Sequence, residues 1–250
     1  MRKILIIGIG SGQPEHLTLQ AVRALQQVDV FFLIDKGSEK AQLAQLREQI
    51  CGPHLKSRTY RTVTIRDPER DRRPANYEAE VRAWHERRLL EYEAAIANEM
   101  TDDECGAFLV WGDPSLYDST LRILEQLQVP VEYEVIPGIT SIQALTARHR
   151  ICLNKIGQAV HIATGRTLPQ SPPLSTNNVV VMLDGELTLE GVDPETTWIH
   201  WGAYLGTEHE IVHTGRVADV ADDIRALRRE ARARHGWIMD TYLLSRIEPV

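Results

Sequence analysis

The chain has 250 residues, 43% of them hydrophobic and 25% charged, with a net charge of −7; this suits an ordinary globular protein of one large or two modest domains and excludes disordered, collagen-like and disulfide-stapled classes. The apolar stretch Ile4 to Ile9 is too short to span a bilayer and no cleavage-site pattern follows it, so a cytoplasmic protein without a membrane partner is expected. Cys51, Cys105 and Cys152 are widely spaced and offer no CxxC frame for zinc, and the acidic balance argues against a nucleic-acid partner.

The run Lys3 to Ile9 reads as a strand buried on both faces, hence part of a parallel sheet. Leu17, Ala21, Ala24, Leu25 and Val28 then recur at helical spacing, and Asp29 to Ile34 is a second buried strand ending at Asp35, which completes a β-α-β unit. Ser38 to Ile50 is predicted helical, with Ser38 as N-cap and Gly52-Pro53 as the stop, and Tyr60 to Ile65 alternates as a strand. Further predicted elements are a long helix from Pro74 to Met100, a strand from Gly106 to Trp111, a helix from Leu116 to Leu127, a strand from Val131 to Ile136 and a helix from Ile139 to Ala147.

Beyond about residue 153 strands come close together, at Ala159 to Ala163, Asn178 to Leu183, Thr197 to Trp201 and Glu210 to Thr214. The segment from Pro169 to Asn178 between two of them reads as a loop. A helix from Val217 to Arg234 and a strand from Trp237 to Ile247 close the chain. The expectation is an α/β fold in two domains, each a β-sheet flanked by helices: residues 1–152 with mostly parallel strands and residues 153–250 with a mixed sheet.

Charge is uneven. Residues 54–88 hold ten of the 28 Lys and Arg and carry +4, against −11 for the remainder. That segment is either a solvated helix face with i, i+4 pairing or an arginine-rich site for a polyanion, with Arg61 and Arg66 as candidates. His209 and His213 are expected on one face of a strand without a third ligand, so no metal site is expected there. Trp198 and Trp201 are expected on opposite faces of their strand, with at least one in the core.

Four turns at strand ends carry the chemistry, because ligands of open α/β sheets sit at the carboxyl ends of strands. The first, Gly8-Ile9-Gly10-Ser11-Gly12-Gln13-Pro14, would let backbone amides approach a ligand, but Gln13 and Pro14 break the dinucleotide fingerprint. The second, Trp111-Gly112-Asp113-Pro114-Ser115-Leu116-Tyr117, places a carboxylate at another close-approach turn. The third, Ile136-Pro137-Gly138-Ile139-Thr140-Ser141, presents two hydroxyls at a helix start. The fourth, Gly202-Ala203-Tyr204-Leu205-Gly206-Thr207, could form an aromatic and apolar wall for a flat heterocycle, or be an ordinary turn.

In this order the turns resemble the tetrapyrrole methylase family of S-adenosylmethionine-dependent methyltransferases. The resemblance runs through GIGSGQPEHLTLQA (8–21), VDVFFLID (28–35), VWGDPSLYDST (110–120), VIPGITSIQA (135–144), VVVMLDG (179–185) and TEHEIVHTGRVADV (207–220). WGAYLGTEHE at 201–210 and GWIMDTYLLSR at 236–246 resemble the member that methylates a corrin-precursor carbon and releases acetate. Asp118 and Ser119 follow Tyr117 where the family usually carries glycine or arginine, a departure on the substrate side.

The resemblance implies a homodimer that binds a tetrapyrrole, with S-adenosyl-L-methionine (product S-adenosyl-L-homocysteine) between the two domains. Gly112, Asp113, Leu116, Thr140 and Ser141 would hold its amino-acid end. Leu183, Tyr204 and Leu205 would flank the adenine, with Asp240 or Thr241 nearby. Gly10, Ser11 and Pro14 would face the tetrapyrrole, whose fringe of carboxylates would suit Arg61 and Arg66. Acetate release needs a general base and oxyanion donors; the candidates are Asp35, His16, Asp113 and Tyr117, with Asp35 favoured as base. The competing classes are a dinucleotide-dependent oxidoreductase, for which Asp35 would be the ribose-binding acid, a non-catalytic nucleotide-binding module, and a family member acting on a different precorrin carbon or on protein or RNA.

Overall fold

In the computed structural model, residues 1–35, 47–55, 59–69, 71, 76–170 and 177–246 are described. The predicted Ser38 cap, most of the helix behind it, and Lys56, Arg58, Arg70, Arg72 and Arg73 lie outside them. The chain divides into two compact units, Met1–Thr140 and Ser141–Val250.

In the first unit, strands β1 (Arg2–Gly8), β2 (Val30–Asp35), β3 (Arg61–Arg66), β4 (Cys105–Val110) and β5 (Val131–Ile136) form one sheet in the order β3-β2-β4-β1-β5. Every neighbouring pair is parallel. Ile4 to Ile7 are fully buried because helices cover both faces. One face carries α1 (Leu19–Leu25), started by Thr18, whose hydroxyl accepts from Ala21 N at 3.0 Å, and the helical residues 47–51. The other carries α2 (Tyr77–Glu99), capped by Asn76, and α3 (Thr120–Leu124). Tyr92 of α2 stacks on Phe108, and Phe108 on Phe32, with centroids 4.8 and 5.2 Å apart.

The chain leaves β1 for α1 on one face and leaves β4 for α3 on the other. The adjacent carboxyl ends of β1 and β4 are therefore the topological switch point, where open α/β sheets bind ligands.

The predicted helix from Leu116 to Leu127 shrinks to α3. Leu116 N donates to Asp113 O at 3.2 Å, Tyr117 is left-handed at φ 54, and Asp118 accepts from Thr120 N at 2.7 Å, so the helix cannot begin before Thr120.

The second unit holds a mixed sheet, β6 (Ala159–Thr164), β7 (Asn177–Met182), β8 (Thr197–Ala203), β9 (Ile211–Arg216) and β10 (Asp240–Arg246), in the order β6-β7-β10-β8-β9. Only β6 and β7 pair in parallel. Helix α4 (Ser141–His149) lies against β8 and β10, so it belongs to this unit and not, as expected from sequence, to the first. Helix α5 (Val217–His235) packs on the opposite face over Ile199, Trp201, Tyr242 and Leu244, and ends at Gly236 in the left-handed conformation. Trp201 is in this core and Trp198 is partly exposed on the other face. No helix among the described residues is long and apolar enough to cross a membrane.

On the α4 face, the His149 ring packs edge-on against His200, whose Nδ1 lies 2.9 Å from the Thr214 hydroxyl. Burial, reinforced by His149, depresses His200 to about 4. A histidine depressed in the folded state favours folding fully above its unfolded pKa and loses that contribution as pH falls through the window from about 6.5 to about 4. Acid titration of the melting temperature is expected to show this loss, about 1–2 kcal/mol after solvent screening. His200→Gln should flatten that part of the profile; an unchanged profile would assign the loss to other groups.

Candidate functional site

Three strand ends of the first unit are locked together at the switch point. Gly10 and Gly112 form an isolated antiparallel bridge, Gly112 N donating to Gly10 O at 2.8 Å. Gly138 packs so closely that a Cβ there would sit 2.0 Å from Gly112 O and 2.9 Å from the Gly8 carbonyl carbon. No side chain fits; glycine is required by backbone contact.

Asp113 is the clasp. One carboxylate oxygen accepts from Gly138 N at 2.9 Å, and the other from Ser115 N at 2.9 Å and from the Ser115 hydroxyl. Burial alone would raise this carboxyl, but the bonds from Ser115 and Gly138 outweigh it and hold it below the ordinary value. An acid so engaged positions the turn and is poorly suited to accept a proton, which corrects its expected candidacy as a base. The Gly112, Asp113, Leu116 and Thr140 backbone is what this arrangement presents, Thr140 Cα lying 3.5 Å from where a Gly112 Cβ would be.

Gly10, at φ 79, folds back onto the 3-10 turn Pro14–His16. The Ser11 hydroxyl is buried 2.9 Å from His16 Nδ1, while Pro14 is exposed. Asp35 closes β2 directly opposite Arg66 at the end of β3, so both stand at the carboxyl edge of the sheet. Arg61 does not. It starts β3 at the far end and forks onto Glu104, Nη2 to Oε2 at 2.8 Å, which corrects its expected role toward substrate. Arg87 pairs with Glu80, and Arg88 is buried between Asp67, at 3.1 Å, and the Tyr92 hydroxyl. Three of the described arginines of this segment are therefore paired within the chain, Arg61 and Arg87 at the surface and Arg88 in the core.

In the second unit the predicted residues converge on one end of the sheet. Thr241 pairs across to Met182 on one side and Gly202 on the other, so Leu183 and Tyr204 follow one and two residues beyond its partners at the same end of the sheet. The Thr241 hydroxyl meets the Ser141 hydroxyl at 2.9 Å. Leu183, at φ 52, is 67% exposed. Tyr204, at φ 49, is buried instead: its ring packs edge-on against Trp237 and His235 and its hydroxyl donates to Trp237 O. Leu205 is also buried. The expected aromatic wall is thus part of the core, and these two residues offer backbone rather than a ring face. Asp240 is likewise turned inward, paired with Arg228 at 2.8 Å and accepting from Trp201 Nε1, so only Thr241 of the two alternatives stands on the α4 face. His209 precedes β9 and stacks on His235 at 4.3 Å, so it does not share a strand face with His213.

Tyr117, Leu183 and Tyr204 are three of the five non-glycine residues held at positive φ among the described residues. Such geometry costs about 1–3 kcal/mol each and persists where neighbours over-determine it. The neighbours are visible: Asp113 clasps the chain before Tyr117, and Thr207 N and its hydroxyl donate to Tyr204 O. Asp184, beside Leu183, accepts from Glu186 N at 3.0 Å and from the Tyr242 hydroxyl at 2.6 Å. Asp184 was legible only as one letter of VVVMLDG, with no spacing to mark it as a brace.

Leu183 in the second unit and Tyr117, 46% exposed, in the first are each a strained, exposed apolar side chain at a strand end, and each by itself suits contact with a partly apolar group. Two hydroxyls and the glycine-lined turns each suit a polar group. The clasped glycine turns of the first unit thus suit a charged amino-acid group, and the Leu183 edge of the second suits a nucleoside.

Residues 3–221 match the family of tetrapyrrole (corrin/porphyrin) methylases. The chain is 51% identical to precorrin-6A synthase [deacetylating] from Sinorhizobium sp. over 248 residues, 98% of this chain and 95% of that protein. It superposes with a TM-score of 0.83 and 42% identity on a putative cobalamin synthesis related protein (CobF) from Corynebacterium diphtheriae, covering 99% of this chain and 100% of that one. It also shares its fold, at TM-score 0.57 and 20% identity, with uroporphyrin-III C-methyltransferase from Thermus thermophilus, whose structure holds S-adenosyl homocysteine, over 97% of each chain. The chain belongs to the tetrapyrrole methylase family.

Proposed function

We propose that this protein is a cytoplasmic, homodimeric S-adenosylmethionine-dependent C-methyltransferase of aerobic cobalamin biosynthesis. Its reaction is that of a deacetylating precorrin-6A synthase: methylation of C1 of precorrin-5 with release of acetate to give precorrin-6A. The observation that carries this reading is the 51% identity, sustained over 98% of the chain, to a protein of that name. Bound S-adenosylmethionine supplies an already activated methyl group, so the chain's main contribution is positioning.

Gly112, Leu116 and Thr140, with Asp113 clasping the turn, hold the amino-acid end, and Ser141 adds a hydroxyl. Leu183 covers one side of the adenine, while Thr241 and the backbone of Tyr204 and Leu205 line its edge. Gly10, Ser11 and Pro14 face the macrocycle, as does Arg66. Acetate release requires water to add to an acetyl carbonyl carbon, a proton to leave that water, and the carbon–carbon bond to break with its electron pair returning to the macrocycle. Asp35, at the carboxyl edge beside Arg66, takes that proton, and the half-exposed Tyr117 supplies a hydroxyl donor for the oxyanion.

Calorimetry with S-adenosylhomocysteine against NAD(P) is the first test; binding of the dinucleotide alone would return the chain to the oxidoreductase class. Turnover of precorrin-5 with S-adenosylmethionine should then add one methyl group by mass and liberate one acetate. Asp35→Asn should stop acetate release with S-adenosylhomocysteine affinity intact, and a normal acetate yield would remove Asp35 from the mechanism.

A further inference from the structure

Among the described residues, the two buried arginines each face a carboxylate, and the half-buried Arg47 does not. The buried Nε atoms of Arg88 and Arg228 face Asp67 and Asp240 at 3.1 and 2.8 Å. Arg47, which opens the helical residues 47–51, has a buried Nε with no hydrogen-bond partner and no ion pair among the described residues. Its guanidinium lies over the Trp111 ring, 5.8 Å from the centroid, and the Trp111 indole Nε1 is itself a buried donor without an acceptor. Trp111 directly precedes Gly112, so both orphan donors stand beside the clasped turn at the switch point.

Asp118 acts on the Arg47 charge without forming an ion pair with it, and each buried N–H donor left without an acceptor, Arg47 Nε and Trp111 Nε1, costs about 1–3 kcal/mol. Packing does not require either. Ile50 and Cys51 fill the core from the same helical turn, and a phenylalanine would fill the ring's place without an N–H. Burial pulls the Arg47 guanidinium down from its ordinary value, yet it remains a cation at neutral pH. A cation over an indole ring whose own N–H also lacks an acceptor suits a carboxylate, whose two oxygens can accept from separate donors.

We propose that Arg47 and Trp111 form a subsite for one peripheral carboxylate of the tetrapyrrole, so that the macrocycle is seated by an ion pair next to the turn that positions the methyl donor. The assignment rests on the proposed function, since the other carboxylate within reach of that chemistry is the amino-acid end of the methyl donor itself. The two sources separate experimentally.

Arg47→Gln and Trp111→Phe are compared with the wild type by calorimetry, using S-adenosylhomocysteine and, separately, precorrin-6A as free acid and as its peripheral methyl ester. Arg47→Gln is expected to weaken free-acid binding about tenfold or more and Trp111→Phe about threefold, with S-adenosylhomocysteine affinity within about twofold. The wild type's preference for free acid over ester should shrink in Arg47→Gln. Because the guanidinium is unpaired, Arg47→Gln should also melt no lower than the wild type, whereas a merely structural arginine would lower the melting temperature and leave the acid–ester preference in place. Wild-type-like macrocycle binding in both variants overturns the subsite, and so does a loss confined to S-adenosylhomocysteine. A wild type that binds neither ligand overturns the functional reading itself and the subsite with it.

Discussion

Alanine at Gly138 is expected to disable the proposed methyl-donor site and to cost the first unit about 3 kcal/mol. The added Cβ would lie 2.0 Å from Gly112 O, a backbone atom that no rotamer change can move, and 2.9 Å from the Gly8 carbonyl carbon. Relief requires β5 to withdraw from β1, or the Gly10–Gly112 bridge to open. Either movement breaks the bond from Gly138 N to Asp113, and with it the clasp that shapes the turn. S-adenosylhomocysteine affinity should fall by more than about tenfold at temperatures where the variant is folded, a loss equivalent to about 1.4 kcal/mol or more. Gly185→Ala is the matched control, because a Cβ there meets nothing within 4 Å and should change stability by less than about 0.5 kcal/mol. Near-native melting and affinity in Gly138→Ala would mean that the three strand ends are not locked as described.

That lock shows how far the letters could be read. The buried strands were legible because Ile4 to Ile7 and Val179 to Val181 are continuous apolar runs, a pattern only a doubly covered sheet requires. The glycine turns were legible as turns, yet which glycines touch depends on strand order β4-β1-β5, and β4 is written almost a hundred residues after β1. The side-chain assignments that failed did so for a common reason. Arg61 is drawn to Glu104, Tyr204 to Trp237 and Asp240 to Arg228, partners 33 residues or more away in two cases and supplied by α5 in the third. Burial and long-range pairing overrode local appearance. Helix α4 was placed in the wrong unit because an amphipathic stripe says which face is buried, not against which sheet.

The pair that turned Asp240 inward should dominate the stability of the second unit. Arg228 and Asp240 are both buried, and the guanidinium also donates to Asp184 O at 2.6 Å, joining α5 to the brace behind Leu183. Removing one partner strands the other: Arg228→Met is expected to cost about 3–5 kcal/mol at neutral pH, because Asp240 keeps only Trp201 as a donor for its charge. Burial already raises this carboxyl, with Arg228 and Trp201 pulling it back, so without Arg228 it should rise further. An acid raised in the folded state binds its proton more tightly there than in the unfolded chain. The penalty of Arg228→Met should therefore shrink as pH falls and Asp240 protonates. Restoring neutrality should do the same at constant pH: Arg228→Met with Asp240→Asn should recover all but about 1–2 kcal/mol, because both charges leave together. Denaturant unfolding of the four proteins at two pH values checks both statements, and a penalty that is independent of pH, or additive in the double variant, would show that packing of Arg228 matters more than its charge. The effect should extend to the proposed adenine edge, since Asp240 pairs with Ala203 and adjoins Thr241. Arg228→Met should weaken S-adenosylhomocysteine more than the double variant does, in proportion to how far the end of β10 is loosened.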